Sequence, residues 1–205
     1  MHTETLSKNT RIVLDKIATT AKPFYLAGGT ALALELGHRI SVDLDFFSQD
    51  SFSVSSLIEK LNNLGELKIE DQSEDTFNGV LDGVKISFFY YPYPLLFDKK
   101  DYEGVLLADE RDISAMKIQA ISGRGSKKDF IDLFVLLKKY TIEEILNFFH
   151  EKYKKFNYNQ LHIVKSLNYF FNADGDPNPK MFINDNWKDI KKHIDKEVFN
   201  YLKEK

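Results

Sequence analysis

Residues 25–48, YLAGGTALALELGHRISVDLDFFS, hold four structural signals in succession. Residues 24–27 form a short apolar run, long enough for a buried strand. Gly28-Gly29-Thr30 then breaks it, and two glycines let another group approach the main chain closely. Residues 31–36, ALALEL, are good helix formers, and Gly37 is a helix stop. Residues 41–47 return to a strand period, with Val42, Leu44 and Phe46 on one face and Asp43, Asp45 and Phe47 on the other. The stretch therefore reads strand, Gly-Gly turn, helix, strand, with two carboxylates side by side.

That order suits one chemistry. Residues i and i+2 of a strand lie roughly 6.5–7 Å apart on one face. Two carboxylates so placed can converge on a hard divalent ion such as Mg2+. Backbone N–H groups at a helix N-terminus bind phosphate. Together they would hold a nucleoside triphosphate by its phosphates and its metal. Taken singly, each feature has an ordinary explanation: a Gly-Gly pair is usually a turn, and an Asp-x-Asp strand is usually a solvated edge. The combination is more specific than either part.

LAGGTALAL followed by RISVDLDFF resembles the AbiEii/AbiGii toxin family of nucleotidyltransferases, a branch of the polymerase-beta-like superfamily. The resemblance covers about the first two-thirds of the chain. It implies an α+β fold: a mixed sheet flanked by helices in residues 1–110, and a helical region in residues 111–205. It implies transfer of a nucleotide from a triphosphate to an acceptor, with Asp43 and Asp45 binding Mg2+ and the turn of Gly28, Gly29 and Thr30 holding triphosphate. RNA, especially the tRNA 3′ end, or a protein hydroxyl would be the acceptor. It also implies a toxin neutralised by a cognate antitoxin.

The helical half contains ISAMKIQAISGRGSKKDFIDL, which resembles the family's Lys, Arg and Lys-Asp region. On that resemblance Lys117 contacts the nucleotide phosphates, Arg124 and Lys128 sit nearby, and Asp129 completes the site. A phosphate cleft needs cations, and Lys and Arg supply them. Solvated helix charges are the plainer reading, and Asp129 could simply favour the N-terminus of its own helix. Lys117, read as an exposed helix residue, is expected to be replaceable without loss of the fold. Arg39, between the turn and the aspartates, could reach a phosphate; His38 beside it is read as a packing or surface residue.

One departure from the superfamily stands out. Many of its members take a third carboxylate from a neighbouring strand. Residues 84–91 offer Lys85, Ser87 and Phe89 on one face and Val84, Ile86 and Phe88 on the other, with no Asp or Glu. The general base is unassigned: the proton leaves by water, or Asp129 takes it. Two alternatives to the toxin transferase follow. One is an inactive binding module on the same fold. The other is an enzyme that modifies a small-molecule hydroxyl, as antibiotic-modifying enzymes do.

Composition narrows the rest. The 205 residues suffice for one domain with a helical extension, and 43% hydrophobic residues supply a core. A net charge of −3 leaves any nucleic-acid surface to a local basic patch. The absence of cysteine excludes disulfides, thiolate metal sites and a Cys nucleophile. With no apolar signal core and no membrane-length run, a cytoplasmic protein without membrane contact is expected. Periodicity predicts helices over residues 3–20, 51–64, 112–122, 127–140, 159–171 and 187–203, with one more starting at the Thr141–Glu144 capping box. It predicts further strands over residues 67–72, 77–81, 84–91 and 105–108, with a tight hairpin at Asp82-Gly83.

Overall fold

The computed structural model describes residues 1–204. The chain divides into two compact units, Met1–Asp109 and a second that begins at Glu110.

The first unit runs α1 (Lys8–Ile17), β1 (Tyr25–Ala27), α2 (Gly28–Leu36), β2 (Leu44–Ser48), α3 (Val54–Asn62), β3 (Leu67–Gln72), β4 (Thr76–Leu81), β5 (Val84–Tyr90), β6 (Lys100–Tyr102) and β7 (Val105–Leu107). The seven strands form one mixed sheet in the order β3-β4-β5-β2-β1-β7-β6. β1 runs antiparallel to β2 and parallel to β7, while β2 runs parallel to β5. The strands carrying the Gly-Gly turn and the aspartates are thus central neighbours. One face of this region is an aromatic core in which Phe46 and Phe88 stack at 4.9 Å and Phe24 meets Phe88 edge-on at 4.9 Å. Helix α2 is largely apolar, with Glu35 paired to Lys100, and Ala31, Leu32, Ala33 and Leu34 are all fully buried. Gly37 ends it in the left-handed conformation, its N–H donating to the Ala33 carbonyl.

Several boundaries differ from the periodicity. The first helix is shorter than residues 3–20: Thr3–Thr5 is a separate 3-10 turn, and Ser7 caps α1 through the Thr10 N–H. Val42 is 46% exposed, because β2 starts only at Leu44 and Ser41 makes a lone bridge to Leu6. The hairpin at Asp82-Gly83 forms with both residues at positive φ. A second hairpin of the same kind, Glu103-Gly104, joins β6 to β7.

The second unit is helical: α4 (Glu110–Gly123), α5 (Lys127–Leu137), α6 (Ile142–Tyr153), α7 (Gln160–Ser166), α8 (Phe171–Asp174) and α9 (Trp187–Lys203). The capping box at Thr141 and Glu144 starts α6. Residues 159–171 do not make one helix, since α7 stops at Ser166 and Phe170 turns inward onto Phe130 and Trp187. α4 and α6 are joined by a wholly buried ion pair, Lys152 Nζ to Asp112 Oδ1 at 2.8 Å.

Candidate functional site

In the first unit the site is built on the end of β1. The chain leaves the sheet at Ala27 and enters α2 through Gly28, which sits at φ +66°. Ala27 offers no side-chain cap, so the first amides of α2 depend on other partners. Ala27 pairs with Asp45 in the register of β1 and β2, which brings the second aspartate beside the turn. A Cβ on Gly28 would lie 3.3 Å from Asp45 Oδ2. The carboxylate therefore packs directly on the main chain of the turn.

Gly29 has a different neighbour. A Cβ there would lie 2.2 Å from an Arg39 terminal nitrogen and 3.4 Å from Ser41 Oγ. Arg39 is buried, and its guanidinium fills the space that a side chain at position 29 would need. Its other terminal nitrogen donates to the Ile40 carbonyl at 3.2 Å. Thr30 is buried too, with its hydroxyl 2.8 Å from Ser41 Oγ and bonded to the Asp43 carbonyl. The Thr30 side chain thus ties α2 to the segment that delivers the aspartates. Ser41 is the residue of this cluster that periodicity does not single out. Its signal is positional, eleven residues after Thr30 in a loop that must close on the helix.

Asp43 lies just ahead of β2 and Asp45 within it, and both are half-buried, while Leu44 and Phe46 between and beyond them are in the core. On the neighbouring strand Ser87 pairs with Asp45 and is buried. No group of three or more His, Cys, Asp or Glu side chains able to hold a metal exists among the described residues. Two hard carboxylates fit a cation that completes its shell with phosphate oxygens and water. They do not make a free-standing metal site.

In the second unit, Lys117 of α4 is buried, contrary to its reading as an exposed helix residue. Its Nζ lies 2.9 Å from Asp129 Oδ1 and 2.6 Å from Asp132 Oδ2. Its removal would take away the cation between two buried carboxylates, so the fold is not indifferent to it. Asp129 accepts in addition from Ser126 Oγ at 2.7 Å, from the Ser126 N–H at 3.3 Å and from Arg124 Nε at 3.4 Å. Burial by itself would raise the Asp129 pKa, but the Lys117 ammonium, the hydrogen bonds and Arg124 outweigh it and hold the carboxyl below the usual aspartate range. Arg124 is largely exposed and Lys128 is exposed.

The mixed sheet places the Gly-Gly turn at the end of β1 and the two aspartates at the start of β2, and its fold is that of nucleotidyltransferases. Solved structures with this fold include JHP933 of Helicobacter pylori, 18% identical, covering 97% of this chain and 94% of that one with a TM-score of 0.57. MenT4, a nucleotidyltransferase toxin of Mycobacterium tuberculosis, is 13% identical, covering 91% and 82% of the two chains with a TM-score of 0.58. An uncharacterized Aquifex aeolicus protein, aq_aa25, is 40% identical over 96% of this chain and 98% of its own. Residues 12–107 match the family described as nucleotidyl transferase AbiEii toxin, type IV toxin–antitoxin system. The first unit thus carries a nucleotidyltransferase domain of the AbiEii type, and the chain is a nucleotidyltransferase. The matched segment lies within the first unit and ends before Lys117. No helix among the described residues is long and apolar enough to cross a membrane.

Proposed function

We propose that the chain is a Mg2+-dependent toxin that moves a nucleoside monophosphate from a nucleoside triphosphate to an acceptor hydroxyl, on RNA or on a protein. One observation carries this reading: the Asp45 carboxylate and the Arg39 guanidinium both pack on the Gly28-Gly29 turn at the start of α2. A cation at the positive end of a helix is unfavourable unless anions join it. Asp45 is one such anion, and a triphosphate seated on the α2 amides is another.

Asp43 and Asp45 would hold Mg2+, which supplies charge neutralisation on the phosphates when bound. The turn and Arg39 position the triphosphate. The acceptor oxygen attacks the α-phosphorus, the bond from that phosphorus to the bridging oxygen breaks, and pyrophosphate leaves with the electron pair. β5 offers Ser87 where a third carboxylate would stand, and Asp129 is held in its anionic form by cations, which makes it a weak base. The hydroxyl proton therefore passes to solvent. Within this proposal Lys117 keeps the phosphate contact that the family resemblance assigns, with Arg124 and Lys128 nearby and Asp129 completing the site. A cognate antitoxin and a cytoplasmic setting belong to the same reading.

The test is incubation of the protein with each of four α-labelled triphosphates, Mg2+ and total cellular RNA, protein and small-molecule fractions. The expected result is label in one macromolecular fraction, absent with Asp45→Asn. Label in the small-molecule fraction alone, or equal label with the variant, overturns the reading.

A further inference from the structure

The second unit carries a surface that, apart from Arg124, the transfer chemistry does not use. Between the end of α4, α7 and the segment leading into α8 lies a depression of about 290 Å³. Arg124, His162 and Lys165 line it, with Tyr169 at its rim, and no Asp or Glu is among its described lining residues. Tyr169 is 60% exposed and Phe171 76% exposed, and their rings lie nearly parallel, 29° apart with centroids 6.2 Å apart.

Exposed aromatic rings are costly to leave in water, and here the chain fixes them. Phe170, between them, is anchored on Phe130 at 4.8 Å and Trp187 at 5.8 Å. The Tyr169 N–H is bonded to the Ser166 carbonyl. The two outer rings thus flank a half-buried residue that packs inward. Arg124 and Lys165 are exposed beside them. Exposed rings beside a depression lined by cations, with no carboxylate in its described lining, are what unpaired bases and their phosphates require. An acidic or neutral protein partner would use the cations but not need the near-parallel faces. A duplex would satisfy the cations but keep its bases stacked away from the rings.

We propose that Tyr169 and Phe171, with Lys165, Arg124 and His162, form a binding surface for single-stranded nucleic acid, the rings stacking on bases and the cations meeting phosphates. The identity of the strand as the acceptor rests on the transferase reading above; the binding itself does not.

The experiment is fluorescence anisotropy of the full chain with a labelled twelve-nucleotide single-stranded RNA of mixed sequence and with a matched duplex, over a series of salt concentrations. The parent should bind the single strand more tightly than the duplex, with affinity falling as salt rises. Replacing both rings, Tyr169→Ala with Phe171→Ala, should weaken binding about tenfold or more at all salt concentrations. Lys165→Glu should weaken it and flatten the salt dependence. Because these side chains are exposed, the melting temperature and any Mg2+-triphosphate stabilisation should match the parent in both variants. Equal affinity in parent and double-ring variant overturns the proposal, as does preference for the duplex. A parent dimer that the ring substitutions convert to monomer, with RNA affinity unchanged, also overturns it and makes the patch a contact between copies. RNA binding that depends on these residues in a protein showing no triphosphate stabilisation keeps this surface and sinks the transferase reading.

Discussion

Gly29 and Arg39 are a matched pair, and the match explains both. Glycine at 29 is not required by its backbone angle, since only Gly28 of the two has positive φ. It is required by the guanidinium that occupies the place of its side chain. Arg is rarely buried unless it is paired, and Arg39 is buried with its guanidinium against the turn. The Gly29→Ala substitution would set a methyl group 2.2 Å from an Arg39 nitrogen, and the far end of the Arg side chain would have to move. Arg39 is long and flexible, so the stability cost should be small, about 1 kcal/mol. Triphosphate affinity should fall at least tenfold, because both the cation and the surface of the turn change together. Titration calorimetry with Mg2+ and each triphosphate, beside a thermal melt, measures both quantities. A variant that melts early yet binds like the parent would assign the pair to packing alone.

The elements show where the sequence is legible and where it is not. The turn, α2, the Gly37 stop and the Asp82-Gly83 hairpin are written in local chemistry, because each depends on residues within a few positions of itself. Asp82 also stands apart from the metal chemistry as its position in a turn suggests: it bonds Lys16 Nζ and the Glu66 N–H, and fills the space beside Gly65. The β6–β7 hairpin is missed because its strands have three residues each and Glu-Gly is a weaker turn signal than Asp-Gly. The alternation from Val42 misleads because the strand starts only at Leu44, while Ser41 is held by a lone long-range bridge to Leu6. Buried charge is the least legible feature. Lys117 and Lys152 have the periodicity of surface lysines, and only the packing of helices distant in sequence puts carboxylates opposite them. Lys152 tests this at the α4–α6 contact. Burial pushes its ammonium below the usual lysine range against the pull of Asp112. The Lys152→Met substitution removes the cation facing the buried Asp112 and should cost about 3–5 kcal/mol. Changing both partners, Lys152→Met with Asp112→Leu, should restore most of that or exceed the parent. Urea melts of the three proteins decide it, and a single variant as stable as the double would mean the pair carries no buried charge cost.

The whole chain poses a question that neither unit answers by itself: whether nucleotide engages residues of one unit or of both. Every group of the Gly28–Asp45 cluster belongs to the first unit, while Lys117, Arg124, Lys128 and Asp129 belong to the second. A ligand that binds only the folded state stabilises what it touches, by about 2.7 kcal/mol at a hundredfold excess over Kd. For a unit of about 100 residues that is a shift on the order of 10 °C. The single tryptophan, Trp187, lies in the second unit against Phe130 and Phe170, so its fluorescence reports that unit. Calorimetry reports both. With Mg2+ and triphosphate the calorimetric transition of the parent should rise, and Asp45→Asn should abolish most of the rise. In EDTA the same variant should melt at the parent temperature or slightly above, because removing one of two neighbouring carboxylates relieves repulsion. If the second unit's cations contact the nucleotide, the Trp187 transition rises too, and Arg124→Ala and Lys128→Ala, both at exposed side chains, each diminish the rise. An undiminished rise in those two variants removes them from the nucleotide and confines binding to the turn, Arg39 and the two aspartates. A parent whose transitions ignore Mg2+-triphosphate altogether, with an Asp45→Asn variant that melts early, would make the carboxylate pair a structural feature of the sheet.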